Sequence, residues 1–237
     1  MDGIVLGGGI VLSAQGWDRI VTERSMLGMP ETGIGFLPDV GGTWLLAHAP
    51  GELGTHLALT AGRARAADAI ALGLADTFVL SDALPALLDA LETRSADEAI
   101  DLVAHDPGQS ELEAQRPWID EAYAGDDLIT MLERLAERGQ QGEQGAQDAG
   151  CAIAGKSPWA LSITVAALRS AEQLQNLPAA LAQEYRLALR ALRSPDFAEG
   201  VRAQVIDKDR SPHWSPSSLA EVDPAAVRAA FAPLTAD

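Results

Sequence analysis

Apolar positions in the first half of the chain recur with two different periods, which predict both strands and helices. Residues 1–50 contain short runs rich in β-branched side chains, IVLGGGIVL and RIVTE, which predict a strand, a glycine turn, a helix and a second strand. Residues 51–92 carry apolar side chains at three- and four-residue steps, which indicates helices. Within them we expect Gly62 to end one helix and Ala66 to Leu72 to form the next.

A further strand and several helices are predicted from residue 77 onward. Residues 77–80 predict a strand, and Asp82 is expected to cap a helix over residues 84–91. Amphipathic helices are predicted near 111–123 and 127–138, separated by the most linker-like stretch, GQQGEQGAQ, from a strongly helical region at 157–206. In that region Ser157-Pro158 predicts one helix start, and Asp223-Pro224 predicts another near the end of the chain.

Composition allows one sizeable core with a smaller helical appendage, since 47% of the 237 residues are hydrophobic. The apolar runs are shorter than the ~18 residues that span a bilayer. The first residues also lack the basic and apolar stretches of a secretory signal. A single cysteine, Cys151, excludes an internal disulfide, and its alanine-rich helical context predicts a small buried side chain. We therefore expect a cytoplasmic protein with no membrane segment.

The net charge of −17, from 34 acidic against 17 basic side chains, changes the range of expected partners. Nucleic acid is held chiefly by neutralising its phosphates, so a nucleic-acid partner is not expected. The same charge argues more mildly against other polyanionic ligands, because local arginines can outweigh the global sign.

Two acids occupy an otherwise apolar segment, MPETGIGFLPDVGG, at residues 29–42. Glu31 and Asp39 lie eight positions apart among side chains that would deprive an ionised carboxylate of solvation. Such an environment raises a carboxyl pKa, and a second acid nearby raises it further, which favours catalysis. The alternatives are structural: Glu31 as a capping or surface acid, and Asp39 as the residue that turns the chain before Val40-Gly41-Gly42.

A glycine triplet, Gly7-Gly8-Gly9, separates the first predicted strand from the first predicted helix. Such a turn exposes backbone N–H groups that suit an anion or a developing oxyanion. A tight connection without a ligand is the alternative. The triplet lacks the G-x-G-x-x-G spacing of a dinucleotide site.

Other candidate chemistry is weak, and we expect neither a metal nor a cofactor. The four histidines have no i, i+4 pair and no nearby cysteine, and there is no G-x-S-x-G motif. Dispersed tryptophans are expected to pack in the core or at an interface, and they are Trp17, Trp44, Trp118, Trp159 and Trp214.

Several long motifs resemble one family. MDGIVLGGGIVLS, TERSMLGMPETGIGFLPDVGGTWLL and GTHLALTAGRARAADAIALGLADTFV are similar to the crotonase (enoyl-CoA hydratase/isomerase) superfamily. EYRLALRALRSPDFAEGVRAQVIDKDRSPHWSP resembles the C-terminal segment of its 3-hydroxyisobutyryl-CoA hydrolase family. The resemblance implies an α/β, crotonase-like (ClpP/crotonase) spiral of ββα units, N-terminally truncated, with a partial core over residues 1–104 and a C-terminal helical region over 105–237.

The resemblance also implies roles for individual residues. The N–H of Gly8 would hold the carbonyl oxygen of an acyl-CoA thioester. Glu31 would attack the thioester or activate water for that attack, and the sequence leaves nucleophile and general base both open. Asp39 would orient the hydroxyacyl group or shuttle a proton.

Two departures from the family pattern bear on function. Hydratases of the superfamily carry a second catalytic glutamate three residues after the middle glycine, where this chain has Val11. The hydrolase pattern usually has glycine there, so Val11 is expected to narrow the acyl pocket. The family's first third, with a second oxyanion N–H and much of the CoA surface, has no counterpart in the sequence.

The leading expectation is therefore hydrolysis of a short branched hydroxyacyl-CoA thioester, 3-hydroxyisobutyryl-CoA, in valine breakdown. The partner is the acyl-CoA itself, CoA being part of the substrate, and a homo-oligomer stays open. The alternatives are an enoyl-CoA hydratase or isomerase that uses Glu31 alone, or an inactive truncated relative with a role in assembly.

Overall fold

Five short strands form two small sheets in the first half of the chain. The computed structural model describes residues 1–234, and its strands are β1 (Ile4–Leu6), β2 (Ile20–Val21), β3 (Met26–Gly28), β4 (Thr77–Val79) and β5 (Ala104–His105). β1 pairs with β3 in parallel, with Val5 opposite Leu27. β4 lies between β2, to which it is parallel, and β5, to which it is antiparallel. The strands predicted in residues 1–50 and 77–80 are confirmed.

α-Helices make up most of the remaining described residues. They are α1 (Gly8–Ala14), α2 (Gly42–Ala47), α3 (Leu53–Thr60), α4 (Ala66–Ala71), α5 (Leu84–Leu91), α6 (Ala96–Asp101), α7 (Glu111–Tyr123), α8 (Leu128–Gln140), α9 (Gln144–Ala154), α10 (Pro158–Ala171), α11 (Leu177–Ala191), α12 (Pro195–Val201) and α13 (Pro224–Ala229). Short 3-10 turns occur at Glu31–Ile34, Ser81–Ala83 and Leu219–Glu221, and a π-helical turn follows α12 at Arg202–Ile206.

Side-chain caps account for the predicted helix starts in the C-terminal half. The Ser157 hydroxyl accepts a hydrogen bond from the amide of Ala160 at 3.0 Å, with Pro158 in the first turn of α10. Asp223 caps α13 in the same way. The prediction for Asp82 was wrong. Asp82 lies inside the 3-10 turn Ser81–Ala83, and α5 begins after it without a side-chain cap.

The stretch GQQGEQGAQ, residues 139–147, is not a linker. α8 runs to Gln140 and α9 begins at Gln144, so only three residues connect the two helices. The helices approach closely, since a β-carbon at Gly139 would lie 3.1 Å from the β-carbon of Gln147. The glycines and glutamines of this stretch therefore form a tight helix-to-helix connection.

The main hydrophobic core joins both halves of the chain. It combines Ile10 of α1, Leu27 of β3 and Leu57 of α3 with Ile119 of α7 and Leu168 of α10, all at most 1% exposed. Burial of such side chains supplies the dominant favourable contribution to folding. The division of the chain at residue 104 stays a prediction.

Cys151 differs from the burial expected of it, and the tryptophans differ among themselves in exposure. Cys151 lies on α9, as its context predicts, but it is exposed because it is on the solvent side of that helix. Trp17 follows α1 and is 99% exposed, so it is not core packing in the described chain, whereas Trp118 is buried in the main core.

No single helix among residues 1–234 has the length and apolar character needed to cross a membrane. The adjoining helices α9 and α10 reach that length and composition only when taken together, across a bend of 117°.

Candidate active site

Glu31 is buried at the start of the 3-10 turn that follows β3. Its side chain is 9% exposed, which excludes the alternative of a surface acid. Gly35 ends the turn with a left-handed backbone (φ 68°), and the amide of Phe36 donates to the Glu31 carbonyl at 3.0 Å. The turn thus holds the Glu31 backbone at the edge of the β1–β3 sheet, because β3 leads directly into it.

The Glu31 carboxylate faces the glycine turn between β1 and α1. Gly7 has φ 51° and ψ −123°, and a β-carbon there would lie 2.6 Å from Oε1 of Glu31. Only glycine therefore permits this approach. Gly8 is the first residue of α1, so its amide has no acceptor within the helix, and no other acceptor takes it among residues 1–234. Glu31 thus contacts the residue that immediately precedes Gly8.

Burial sets the protonation of Glu31. Loss of solvent raises its pKa to about 7, and the charge of Asp39 adds to the rise. The other carboxylate oxygen, Oε2, is buried and has no hydrogen-bond partner among the described residues. A buried acceptor without a partner is costly, so its presence needs an explanation, and a catalytic role is one.

Asp39 lies half-buried in the loop between the Glu31 turn and α2. Burial raises its pKa as well. Its carbonyl accepts from the amide of Gly42 at 2.8 Å, so Asp39 also turns the chain, as the structural alternative expects. The influence of its charge on Glu31 nevertheless places the two acids within one electrostatic environment.

The residue after Asp39 is conformationally strained. Val40 has φ 49°, in the left-handed region that β-branched side chains rarely adopt. Its Cγ2 lies 3.9 Å from the position of a β-carbon on Gly8, so the strained loop reaches back to the glycine turn. Strained backbone of this kind persists where the surroundings over-determine it, and it clusters at active sites.

The position of the hydratase glutamate is occupied by a buried apolar side chain. Val11 on α1 is 7% exposed, and its Cγ1 would lie 3.1 Å from a β-carbon on Gly41. α1 therefore packs against the Asp39 loop here through apolar contact. No carboxylate stands at this point of the site.

α12 packs closely against the 3-10 turn that carries Glu31. A β-carbon on Gly200 would lie 2.4 Å from the Ile34 backbone, and one on Gly35 would lie 2.4 Å from the Asp196 carbonyl. Asp196 is fully buried and accepts from the Ser157 hydroxyl at 2.5 Å and from the Ser215 amide at 2.7 Å. The D-F-x-E-G part of the C-terminal motif thus fits directly onto the turn that carries Glu31.

Sequence reasoning missed two buried acids next to the predicted pair, Glu184 on α11 and Asp196 on α12. The burial of Glu184 was predictable from the sequence pattern. It stands on the apolar stripe of its helix with Ala180, Leu187 and Ala191, at three- and four-residue steps. The burial of Asp196 was not predictable, because an acid in the first turn after Ser194-Pro195 is typical of an ordinary helix start.

A sizeable cavity of the described chain lies away from these residues. It measures about 640 Å³ and is lined by residues of α8, α10 and the C-terminal segment, such as Leu128, Val165 and Val227. None of Gly8, Glu31 and Asp39 lines it. We assign the candidate site to the acid pair, because the unpartnered carboxylate oxygen and the strained Val40 are there.

Comparison with known proteins identifies the family. The family model for enoyl-CoA hydratase/isomerase matches residues 1–231. The chain belongs to this family. The match covers nearly the whole sequence, so the resemblance to the crotonase superfamily is confirmed.

Two curated relatives of this enoyl-CoA hydratase/isomerase family member share a name. The mitochondrial 3-hydroxyisobutyryl-CoA hydrolase of Gallus gallus is 36% identical over 245 residues, covering 99% of this chain and 63% of the relative. That of Danio rerio is 35% identical with the same coverage. The chain therefore spans about 63% of the length of these relatives.

Solved structures confirm the α/β crotonase-like fold. A carnitinyl-CoA dehydratase from Mycobacterium thermoresistibile is 44% identical with a TM-score of 0.93, over 99% of this chain and 67% of that one. An enoyl-CoA hydratase from Rhodobacter sphaeroides 2.4.1 is 39% identical with a TM-score of 0.88, over 98% of this chain and 66% of that one.

Proposed function

We propose that the chain carries the catalytic acid pair of an acyl-CoA thioester hydrolase that converts 3-hydroxyisobutyryl-CoA to 3-hydroxyisobutyrate and CoA, a step of valine breakdown. The observation that carries the proposal is the Glu31 carboxylate: it is buried, its Oε1 lies against Gly7, and its Oε2 has no partner in the described chain. A poorly solvated carboxylate beside a free helix amide suits attack on a carbonyl.

In the general-base form of the reaction, ionised Glu31 takes a proton from water, and the water oxygen attacks the thioester carbonyl carbon. Negative charge develops on the carbonyl oxygen and is stabilised by the N–H of Gly8, a contribution worth ~10²–10³ in rate for one donor. The C–S bond then breaks, and the CoA thiolate takes up the proton.

In the nucleophilic form, a carboxylate oxygen of Glu31 attacks the carbonyl carbon and expels the CoA thiolate, leaving a mixed anhydride that water hydrolyses. Both forms require ionised Glu31, so both predict a rate that rises with pH across the pKa of about 7. Asp39 orients the hydroxyl of the acyl group or exchanges a proton with it. The reaction needs no cofactor, since CoA arrives with the substrate.

The names of the relatives support this substrate class. The curated relatives at 35–36% identity are named 3-hydroxyisobutyryl-CoA hydrolases, and their alignments cover 99% of this chain. They are also longer than this chain, so the proposal concerns the activity of a whole protein to which residues 1–237 contribute Glu31, Asp39 and Gly8.

A second candidate is an enoyl-CoA hydratase or isomerase. The names of the two solved structures favour it, a carnitinyl-CoA dehydratase and an enoyl-CoA hydratase. Val11 disfavours it, because water addition across a double bond uses a second acid at the position that this buried valine occupies.

Thiol release separates the two candidates. The chain, alone and preceded by whatever residues its reading frame encodes upstream, is incubated with 3-hydroxyisobutyryl-CoA and with crotonyl-CoA. Thiol release from the hydroxyacyl thioester only supports the hydrolase. Hydration of crotonyl-CoA without thiol release would establish the hydratase instead.

A further inference from the structure

A buried acid on α11 holds the loop that follows Asp39. Glu184 is 2% exposed, and its Oε2 accepts from the Gly41 amide at 2.6 Å. Its Oε1 accepts from the Thr43 amide at 2.9 Å and from the Thr43 hydroxyl. One carboxylate thus satisfies three donors, one on Gly41 just before α2 and two on Thr43 in the first turn of α2. These donors lie more than 140 positions away along the chain.

The segment held in this way is the strained one. Val40 precedes Gly41 and keeps its φ of 49°, and Gly41 itself has φ 100°. Gly41 is also enclosed by apolar atoms, since a β-carbon there would lie 3.1 Å from Leu177 of α11 and from Val11 of α1. The loop is therefore clamped between two helices, with Glu184 supplying the polar contacts.

We infer that Glu184 is a positioning residue of the active site, which holds Val40 in its left-handed conformation and thereby fixes the loop that carries Asp39 and the approach of Val40 to Gly8. The inference rests on the proposed function, because it concerns the acid pair of that reaction. Glu184 is not a catalytic residue, since its two oxygens are occupied by Gly41 and Thr43.

Burying a carboxylate is unfavourable unless hydrogen bonds compensate it. Desolvation raises the pKa of Glu184, the hydrogen bonds from Thr43 and Gly41 oppose that rise, and the charge of Asp39 adds to it. A glutamate kept on an apolar helix face under these conditions is explained by the loop conformation that it maintains.

Glu184→Gln tests the inference, because an amide keeps the shape of the side chain but turns one acceptor into a donor that faces a backbone N–H. We expect kcat for thiol release to fall about tenfold or more, with KM changed less than about threefold, since a small misplacement of catalytic groups acts on the chemical step. Amide hydrogen exchange at Gly41 and Thr43 is expected to speed up. Unchanged exchange would overturn the inference.

Gln183→Ala is the matched control. Gln183 neighbours Glu184 on α11, is 3% exposed, and bonds to Ser170 and the Ala167 carbonyl of α10 rather than to the loop. We expect this variant to lower the melting temperature while leaving kcat and the exchange of Gly41 unchanged. An equal loss of kcat in both variants would mean that α11 acts only through overall stability, and would overturn the inference.

A double variant tests whether Glu184 acts through the conformation of residue 40. Glycine adopts positive φ without strain, so Glu184→Gln is expected to lower kcat much less in a Val40→Gly background than in the wild type. An equal loss of kcat in both backgrounds would show that Glu184 does not act through the conformation of residue 40. Glu31→Gln is measured alongside: if it keeps the wild-type rate, the proposed function fails, whatever the result for Glu184.

Discussion

Oε1 of Glu31 lies so close to Gly7 that a β-carbon on Gly7 would come within 2.6 Å of it. This contact joins two segments that the sequence separates by 24 residues, the glycine turn and the M-P-E motif. The carboxylate is buried at this contact, burial raises its pKa, and the contact lies one residue before Gly8. The chemistry proposed for the chain depends on this contact.

Replacing Gly7 tests the contact directly. In Gly7→Ala the new methyl group collides with Oε1 of Glu31, and φ of 51° with ψ of −123° becomes strained, so we expect kcat to fall ~10²-fold. Gly3→Ala is the matched control, since Gly3 also has a positive φ of 78° but nothing within 4 Å of a β-carbon. That variant should lose stability by about 1 kcal/mol and keep its kcat.

The pKa of Glu31 makes a prediction for stability. The folded chain keeps the Glu31 proton up to about pH 7, whereas an unfolded glutamate releases it near its ordinary pKa of 4.5. Between these values the unfolded state binds fewer protons, so this carboxyl lowers the free energy of unfolding as pH rises. Glu31→Gln removes this pH dependence. The free energy of unfolding of the variant, relative to that of the wild type, should therefore rise by about 2–3 kcal/mol from about pH 5 to pH 8.

Urea denaturation of both proteins at the two pH values measures this gain. Comparing the same pair at two pH values cancels the fixed cost of burying an amide at position 31. A difference that does not change with pH would mean that the Glu31 carboxyl is solvated.

The charge of Asp39 makes a prediction for the pH dependence of the rate. Asp39 raises the pKa of Glu31, so Asp39→Asn should lower that pKa and shift the rising limb of the kcat/KM profile to lower pH. Asp89→Asn, an exposed acid on α5, should leave the profile in place. A limb that stays at the wild-type pH in Asp39→Asn would place the two acids too far apart to act together.

The packing of α12 makes a fourth prediction. Gly200→Ala would put a methyl group 2.4 Å from the Ile34 backbone, so we expect a loss of about 1–3 kcal/mol in the free energy of unfolding and a lower kcat. Gly150→Ala on α9 meets nothing within 4 Å and should stabilise the chain by ~0.5–1 kcal/mol through helix propensity. Thermal unfolding and thiol release, measured on both, check the pair.

Local patterns were sufficient to predict much of the fold. The helix predicted near 111–123 is observed at Glu111–Tyr123, because its polar start, Ser110 cap and apolar spacing all lie within the segment itself. The same is true of the burial of Glu31, which follows from the apolar side chains on either side of it.

Contacts between distant segments were not predictable in this way. The link from Glu184 to Gly41 joins residues 143 positions apart, and no local pattern specifies which loop an acid on a helix face will meet. The predicted cap at Asp82 failed for a different reason: Asp82 lies inside a short 3-10 turn, so it does not precede α5 directly. The linker-like composition of residues 139–147 does not specify a linker, because glycine and glutamine also suit a close crossing of two helices.

The rate of thiol release from 3-hydroxyisobutyryl-CoA by Glu31→Gln measures how much of the proposed catalysis depends on this carboxylate. Glu133→Gln, an exposed glutamate on α8, is measured beside it in the same chain and in the chain extended upstream. We expect a loss of ~10³-fold in kcat for Glu31→Gln and none for Glu133→Gln, since general-base or nucleophilic catalysis contributes on this order. A Glu31→Gln variant that works within about tenfold of the wild type would contradict this expectation.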